Sequence, residues 1–562
     1  MRAVAVCTAL LATGCLTAPP SASADVNPAT FTGCSQVGPT LRYLVLFDQG
    51  TSEQTADSEI AAACGTTASY YPQISVAVAT SPDPSFVTRI GPDRAYSAAG
   101  EAYSDADDSP GATKKPDETG SGATAATSQP GVVPTANRTG DQWDMTMINA
   151  DRAHKITEGS SQVLVGVLDS GIDPQHPGLL KALDTADSAG CVTGAPDTSE
   201  AAWEPTTSAH GTHVAGTIAA ADDGQGTAGV APGVRVASVK VVNDDGYIYP
   251  EAAVCGFMWA AERGMTITNS SYFVDPWIFT CRDAVGQQVI YEAVRRAVDY
   301  AAGRGVLNVA AAGNQAMDLT NPGSDNGSPD NVSTNDQRSR PLTEQCAELP
   351  AGLRGVVTVS SVGADETKAS YSSYGLGAID VTAPGGDTRQ QAPDGQSCVL
   401  STVPDGYASS CGTSMAAPHV AGVLALLASA HPQDSAKQLT QLLYDEAQPM
   451  PCPADYDLTG TGVQDAYCTG DSSYNSFYGH GLVDALAAVT DGVNGTSVNL
   501  ASSAGGGNSA ELGANTAAGN GNPAGSGANA SAGNKKSTGL LDPLLSVLSP
   551  APVVPLDPLG LW

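Results

Sequence analysis

Hydrophobic and polar positions divide the chain into stretches of different rhythm. Short apolar runs, Tyr43 to Phe47 and Ile74 to Ala79, flank a helical stretch from Thr55 to Ala63 and predict a small α+β unit over residues 25–95. From Ser97 to Gly140 large apolar side chains almost vanish, so this stretch cannot bury enough surface to offset chain entropy, and residues 96–141 are expected to be a linker. Strand-length apolar runs then return at Val163 to Leu168, Val234 to Val242, Gly305 to Ala312 and Gly355 to Val362, alternating with helical patterns over residues 142–490. Such alternation predicts an α/β fold, a parallel sheet with helices on both faces. The remainder, 491–562, is low in complexity. Its Gly/Ala/Ser/Asn tract from Ala501 to Asn534 has Glu511 as its only charge and reads as flexible. The apolar stretch from Leu540 to Trp562 is broken by Pro543, Pro550, Pro552, Pro555 and Pro558 and carries Asp542 and Asp557, which argues against a transmembrane helix.

Composition narrows the choice. Twenty-five Lys and Arg against 58 Asp and Glu give a net charge of −33. A surface so acidic repels phosphate backbones, so nucleic acid is not an expected partner. The first residues, Arg2, then an apolar run from Ala3 to Leu16, then Ala22-Ser23-Ala24, have the order of a secretory signal over residues 1–24, with a lipoprotein signal acylated at Cys15 as the minor alternative. Export fits the cysteines: ten follow the signal, none in CxxC spacing, which favours disulfides over metal. Cys34 and Cys64 are placed to staple the small unit. Cys398 with Cys411 and Cys452 with Cys468 each close a short loop, and the pairing of Cys191, Cys255, Cys281 and Cys346 is left open.

Four segments carry candidate chemistry. The run Val163 to Leu168 ends in Asp169, a carboxylate at the carboxyl end of a central strand, where α/β sheets hold their sites. The segment "HGTHVAG" sets His210 and His213 at a helix start; it lacks the intervening Glu of a zinc-binding pair. Val306 to Ala312 leads to Gly313 and Asn314, whose amide is a donor for an oxygen that becomes negative. Finally, "GTSMAAPHVAG" places Ser414 at the start of a long apolar helix, where unpaired N–H groups and the dipole favour an oxyanion. Each alone has a bland reading as a turn former or helix cap.

Together with "VLDSGIDPQHPGL", "GVAPGVRVASVKV", "AAAGN" and "YGHGLVDA", these segments resemble the subtilisin-like serine proteases over Gln142 to Ala488. The resemblance implies the subtilisin-like three-layer fold and a secreted, monomeric endopeptidase acting on polypeptides. Ser414 is then the nucleophile, His210 the base, Asp169 its orienting acid and Asn314 an oxyanion donor, with Ser271 and Ala311, Ala312 and Gly313 lining the substrate cleft. His213 reads as structural. The unit 25–95 resembles the family's N-terminal propeptide, which makes the chain a zymogen that its own propeptide inhibits; a retained accessory domain is the competing view. The rival function is a catalytically silent protein that binds peptides in the same cleft.

The sequence also departs from the family. Gly178 stands where many members carry a calcium-binding Asp, so the usual tight site is in doubt even with Asp223 in the matching loop; structural calcium stays open elsewhere, and the chemistry needs no cofactor. Ser271-Tyr272-Phe273 replaces Ser-Leu-Gly, putting a ring where substrate backbone approaches. An insertion from Gln315 to about Pro350, rich in Asn, Asp, Ser and Pro, is expected to be a surface loop that narrows the cleft.

Overall fold

The computed structural model describes residues 33–104 and 136–490, apart from 36, 333–336, 338 and 394. The expected signal over residues 1–24, the stretch 105–135 of the expected linker and the tail from 491 onward lie outside the described residues.

The strands predicted from apolar runs form most of the main sheet, joined by Ile267–Ser270 and Val381–Pro384, which carry no such run. Leu164–Asp169 is buried at every position, as are Ile267–Ser270, Leu307–Ala311, Val356–Val362 and Val381–Pro384. A strand buried on both faces needs layers above and below, and only a parallel sheet with crossover helices supplies them. Seven parallel strands result, in the order Val381–Pro384, Val356–Val362, Leu307–Ala311, Ile267–Ser270, Leu164–Asp169, Arg235–Lys240 and Ala189–Gly190. One face packs on the helices His210–Ala219 and Thr413–Ala430, the other on Pro250–Glu262 and Gln287–Gly303. Thr413–Ala430 is long and apolar enough to cross a membrane, but most of it is buried among the sheet and its neighbours, and it serves as the core helix.

The N-terminal unit is a four-stranded antiparallel sheet, ordered Thr66–Tyr71, Val76–Ser81, Leu41–Leu46, Ala95–Tyr96, with the helix Glu53–Ala62 on its inner face. Alternation sorts its residues: Val45, Ala77 and Ala79 close its own core, while Leu44, Leu46, Val76 and Val78 face the helices of the main unit. Arg296 clamps the contact by donating from Nη1 to the carbonyls of Phe47 and Ile74, and Tyr71 donates to the Gly194 carbonyl at 2.8 Å. The ordered chain does not stop at 95, where composition sets the start of the linker. Ala98–Ser104 is helical with Ala98 and Ala102 buried, because alanine methyls suffice to bury a face that carries no large side chain.

The insertion after Asn314 is held more firmly than a surface loop. Arg340–Pro341 pairs with Ser324–Asp325, Cys346–Ala347 pairs with Thr280–Cys281, and Leu342 and Leu349 are buried. Cys281–Cys346 ties its end to the main unit, and Cys191–Cys255 links the edge strand Ala189–Gly190 to the helix Pro250–Glu262. Cys34–Cys64, Cys398–Cys411 and Cys452–Cys468 are the other three disulfides among the described residues.

Candidate active site

Asp169, His210, Asn314 and Ser414 come from four separate segments; Asp169 contacts His210, Asn314 contacts Thr413 beside Ser414, and Ser414 contacts Ser271 just past the strand Ile267–Ser270. Asp169 is the last residue of its strand, 2% exposed, and its Oδ1 accepts the backbone N–H of Ser170 at 2.7 Å. With the carboxylate fixed this way, His210 Nδ1 lies 2.8 Å from Oδ1 and 3.0 Å from Oδ2. A carboxylate at Nδ1 selects the tautomer that carries its proton there, leaving Nε2 as the basic nitrogen. The approach requires glycine at 211, because an added Cβ would collide with the Gly171 carbonyl and press on Asp169.

The helix that carries His210 is gripped by a hairpin, Val399–Val403 with Gly406–Ser410. Ser401 and Thr402 donate to the carbonyls of His213 and Thr212, each at 2.7 Å, and His213 Nε2 lies 3.1 Å from the carbonyl oxygens of Val399 and Ala408. Burial, with the neighbouring His210 adding to it, pushes His213 down to about 4, so it stays neutral and donates to those carbonyls. His213 is a fastener between helix and hairpin. His176 makes a similar buried contact to the Gly406 carbonyl at 3.0 Å, and burial lowers its pKa also. His419 bridges the Met415 carbonyl and Asp144, fully buried.

The same hairpin runs directly into the serine. Cys411, disulfide-bonded to Cys398, precedes Gly412, and Thr413–Ala430 begins one residue later. Ser414 therefore sits in the first helical turn, where its own N–H has no carbonyl four residues back within the helix. Pro418 lies inside the helix and cannot donate to the carbonyl four residues back, which belongs to Ser414. The Ser271 hydroxyl supplies the missing donor at 3.0 Å, while Ser414 Oγ donates to the Ser271 carbonyl at 3.2 Å. Ser271, expected in the cleft wall, thus also holds the Ser414 backbone.

Asn314 is oriented through its acceptor. Its Oδ1 receives the Thr413 N–H at 3.0 Å and the Thr413 hydroxyl at 2.8 Å, which turns Nδ2 toward Gly412, where an added Cβ would lie 3.6 Å away. Ala311, Ala312 and Gly313 precede it at the end of the strand Leu307–Ala311, and Ala312 N–H bonds the Val359 carbonyl. Sequence reasoning missed the hairpin and Thr413; a Thr directly before the serine was the available sign of the latter.

Gly178 offers no side-chain ligand. Its N–H donates to His176 Nδ1, and Asp223 is exposed and accepts the Gln225 N–H.

A profile of the subtilase family (Peptidase_S8) matches residues 160–481. Subtilisin DY of Bacillus licheniformis is 31% identical over 347 residues, 62% of this chain and 97% of its own length. Subtilisin BL of Lederbergia lenta is 31% identical over 324 residues, 58% of this chain and 96% of its own. The crystal structure of the epidermin leader peptide processing serine protease of Staphylococcus aureus superposes with a TM-score of 0.58 at 20% identity, covering 82% of this chain and all of that one, a likeness of fold. Motifs, sheet and profile agree: this chain belongs to the subtilase family of serine proteases.

Proposed function

We propose that the chain is a secreted serine endopeptidase made as a zymogen. The carrying observation is the Asp169 carboxylate seated 2.8 Å from His210 Nδ1 on rigid elements that also present Ser414 and Asn314. Ser414 Oγ leaves its bond to the Ser271 carbonyl, gives its proton to His210 Nε2 and attacks the scissile carbonyl carbon. Asp169 stabilises the imidazolium that forms. Asn314 Nδ2 and the Ser414 N–H hold the oxyanion, and their placement before the reaction is what lowers the barrier. His210 then protonates the departing amine, and water, deprotonated by His210, releases the acyl group from Ser414. Nucleophile, base and oxyanion donors all come from the chain itself, so no metal enters the chemistry.

Five disulfides among the described residues support an oxidising compartment, and with it secretion. The N-terminal unit, docked through Arg296 and Tyr71, supports the zymogen reading: it acts as inhibitor until the chain is cut upstream of Gln142. Secreting the native chain beside Ser414→Ala tests both parts. The native chain should shorten at its N-terminus and hydrolyse a mixed peptide library, and the variant should do neither. If both keep the N-terminal unit and neither cuts a peptide, the endopeptidase reading fails.

A further inference from the structure

The insertion carries an acidic residue, Glu348, to the side of Gly313, one residue before Asn314. The strands Ile267–Ser270 and Leu307–Ala311 pair in parallel until Ser270 faces Ala310, and there they part. Past that point Ala312 N–H bonds the Val359 carbonyl, whereas Val274 N–H bonds the carbonyl of Leu349 in the insertion, each at 3.0 Å. Segments 271–274 and 311–314 are no longer paired with each other, and residues 348–349 lie against both, Leu349 bonded to Val274 and Glu348 beside Gly313. Ser414 Oγ is bonded to the Ser271 carbonyl at the start of the first segment, and Asn314 ends the second. In the proposed mechanism a scissile carbonyl lies between Ser414 and Asn314, which sets the side chain of its own residue, P1, against these two segments and Glu348.

Glu348 is 5% exposed there. Its two carboxylate oxygens lie 2.5 and 2.7 Å from the point where a Cβ on Gly313 would stand, and Gln315 Oε1 crowds the same point. Gly313, at a φ of +90°, leaves that space to the acceptors. Three acceptor oxygens, two of them on the buried Glu348, thus converge beside Gly313, an environment that rewards an N–H-rich cation and penalises an anion.

Building on the endopeptidase reading, we infer that Glu348 sets the cleavage preference, selecting Lys or Arg at P1. A carboxylate in low dielectric attracts a charged ammonium or guanidinium more strongly than it would in water, and an aliphatic chain of the same length gains nothing from it. The net charge of −33 adds steering of the same sign for basic peptides.

The test compares extended peptides that differ only at P1, lysine against norleucine, an uncharged chain of similar length, with the cut bond identified by mass. The native enzyme should show kcat/KM for lysine at least tenfold above norleucine, and Glu348→Gln should collapse that ratio by about tenfold or more. Equal or better cleavage after norleucine by the native enzyme overturns the inference, as does an unchanged ratio in a folded Glu348→Gln. A fluorophosphonate, which reports a reactive serine without a P1 side chain, is added to the same samples. Labelling at Ser414 with no lysine preference removes the role of Glu348 and leaves the protease standing; no labelling and no cleavage of either peptide removes both.

Discussion

Asn314 owes its direction to Thr413, which occupies its carbonyl oxygen and turns Nδ2 toward Gly412, the orientation that the proposed oxyanion role needs. Asn314→Ala should therefore lower kcat by about 10²- to 10³-fold, the cost of losing the equivalent oxyanion donor in subtilisin, while KM changes little. Steady-state kinetics on one peptide read both constants; an unchanged kcat would remove Asn314 from the oxyanion site. His213 makes a pH prediction. Its pKa falls from 6.5 to about 4 on folding, so between these values the unfolded chain binds more protons and stability rises with pH. The contribution is present above about 6.5 and lost as pH falls toward 4. Denaturant unfolding of an inactive Ser414→Ala protein at pH 7 and pH 4.5 should show a smaller loss once His213→Gln is added. Equal losses would mean that His213 titrates normally in the fold.

At the level of elements, the hairpin Val399–Val403 with Gly406–Ser410 joins two halves of the site, gripping the His210 helix and delivering Gly412 to the Ser414 helix. Cys398–Cys411, 13 residues apart, closes it, and the chain-entropy account gives about 3 kcal/mol for a loop of that size. Replacing both cysteines by serine in the Ser414→Ala background should cost a similar amount in denaturant unfolding; a cost near zero would show that the hydrogen bonds alone hold the hairpin. The sequence made some of this legible. The unbroken apolar run ending at Asp169 announced a buried parallel strand, and Ser414 before a long apolar helix announced a helix-start serine, because local pattern and burial coincide there. The hairpin did not announce itself: Val399–Val403 and Gly406–Ser410 interleave apolar residues with Ser401, Thr402, Ser409 and Ser410, and Ser401 and Thr402 acquire meaning only through bonds to His213 and Thr212, nearly two hundred residues away. Glu348 was equally hidden. Nothing local distinguishes it from the insertion's other acids, and its place depends on Leu349 pairing with Val274.

At the level of the whole molecule, the N-terminal unit shares one continuous apolar cluster with the helices Pro250–Glu262 and Gln287–Gly303, so in the proposed zymogen its release would expose a face that is buried here. Arg296→Ala removes two hydrogen bonds across that contact and should speed release of the cut unit, read as a shorter lag before activity appears. An unaltered lag would place the control of release elsewhere. The central claim, that Ser414 is a nucleophile activated by His210 and Asp169, is tested most directly by intact-protein and peptide mass spectrometry after treating the matured native chain, Ser414→Ala and His210→Ala with a fluorophosphonate. The account predicts a single adduct on Ser414 in the native chain, none in Ser414→Ala, and labelling slowed by orders of magnitude in His210→Ala. An unlabelled native chain, or an adduct on another residue that persists in Ser414→Ala, would contradict it.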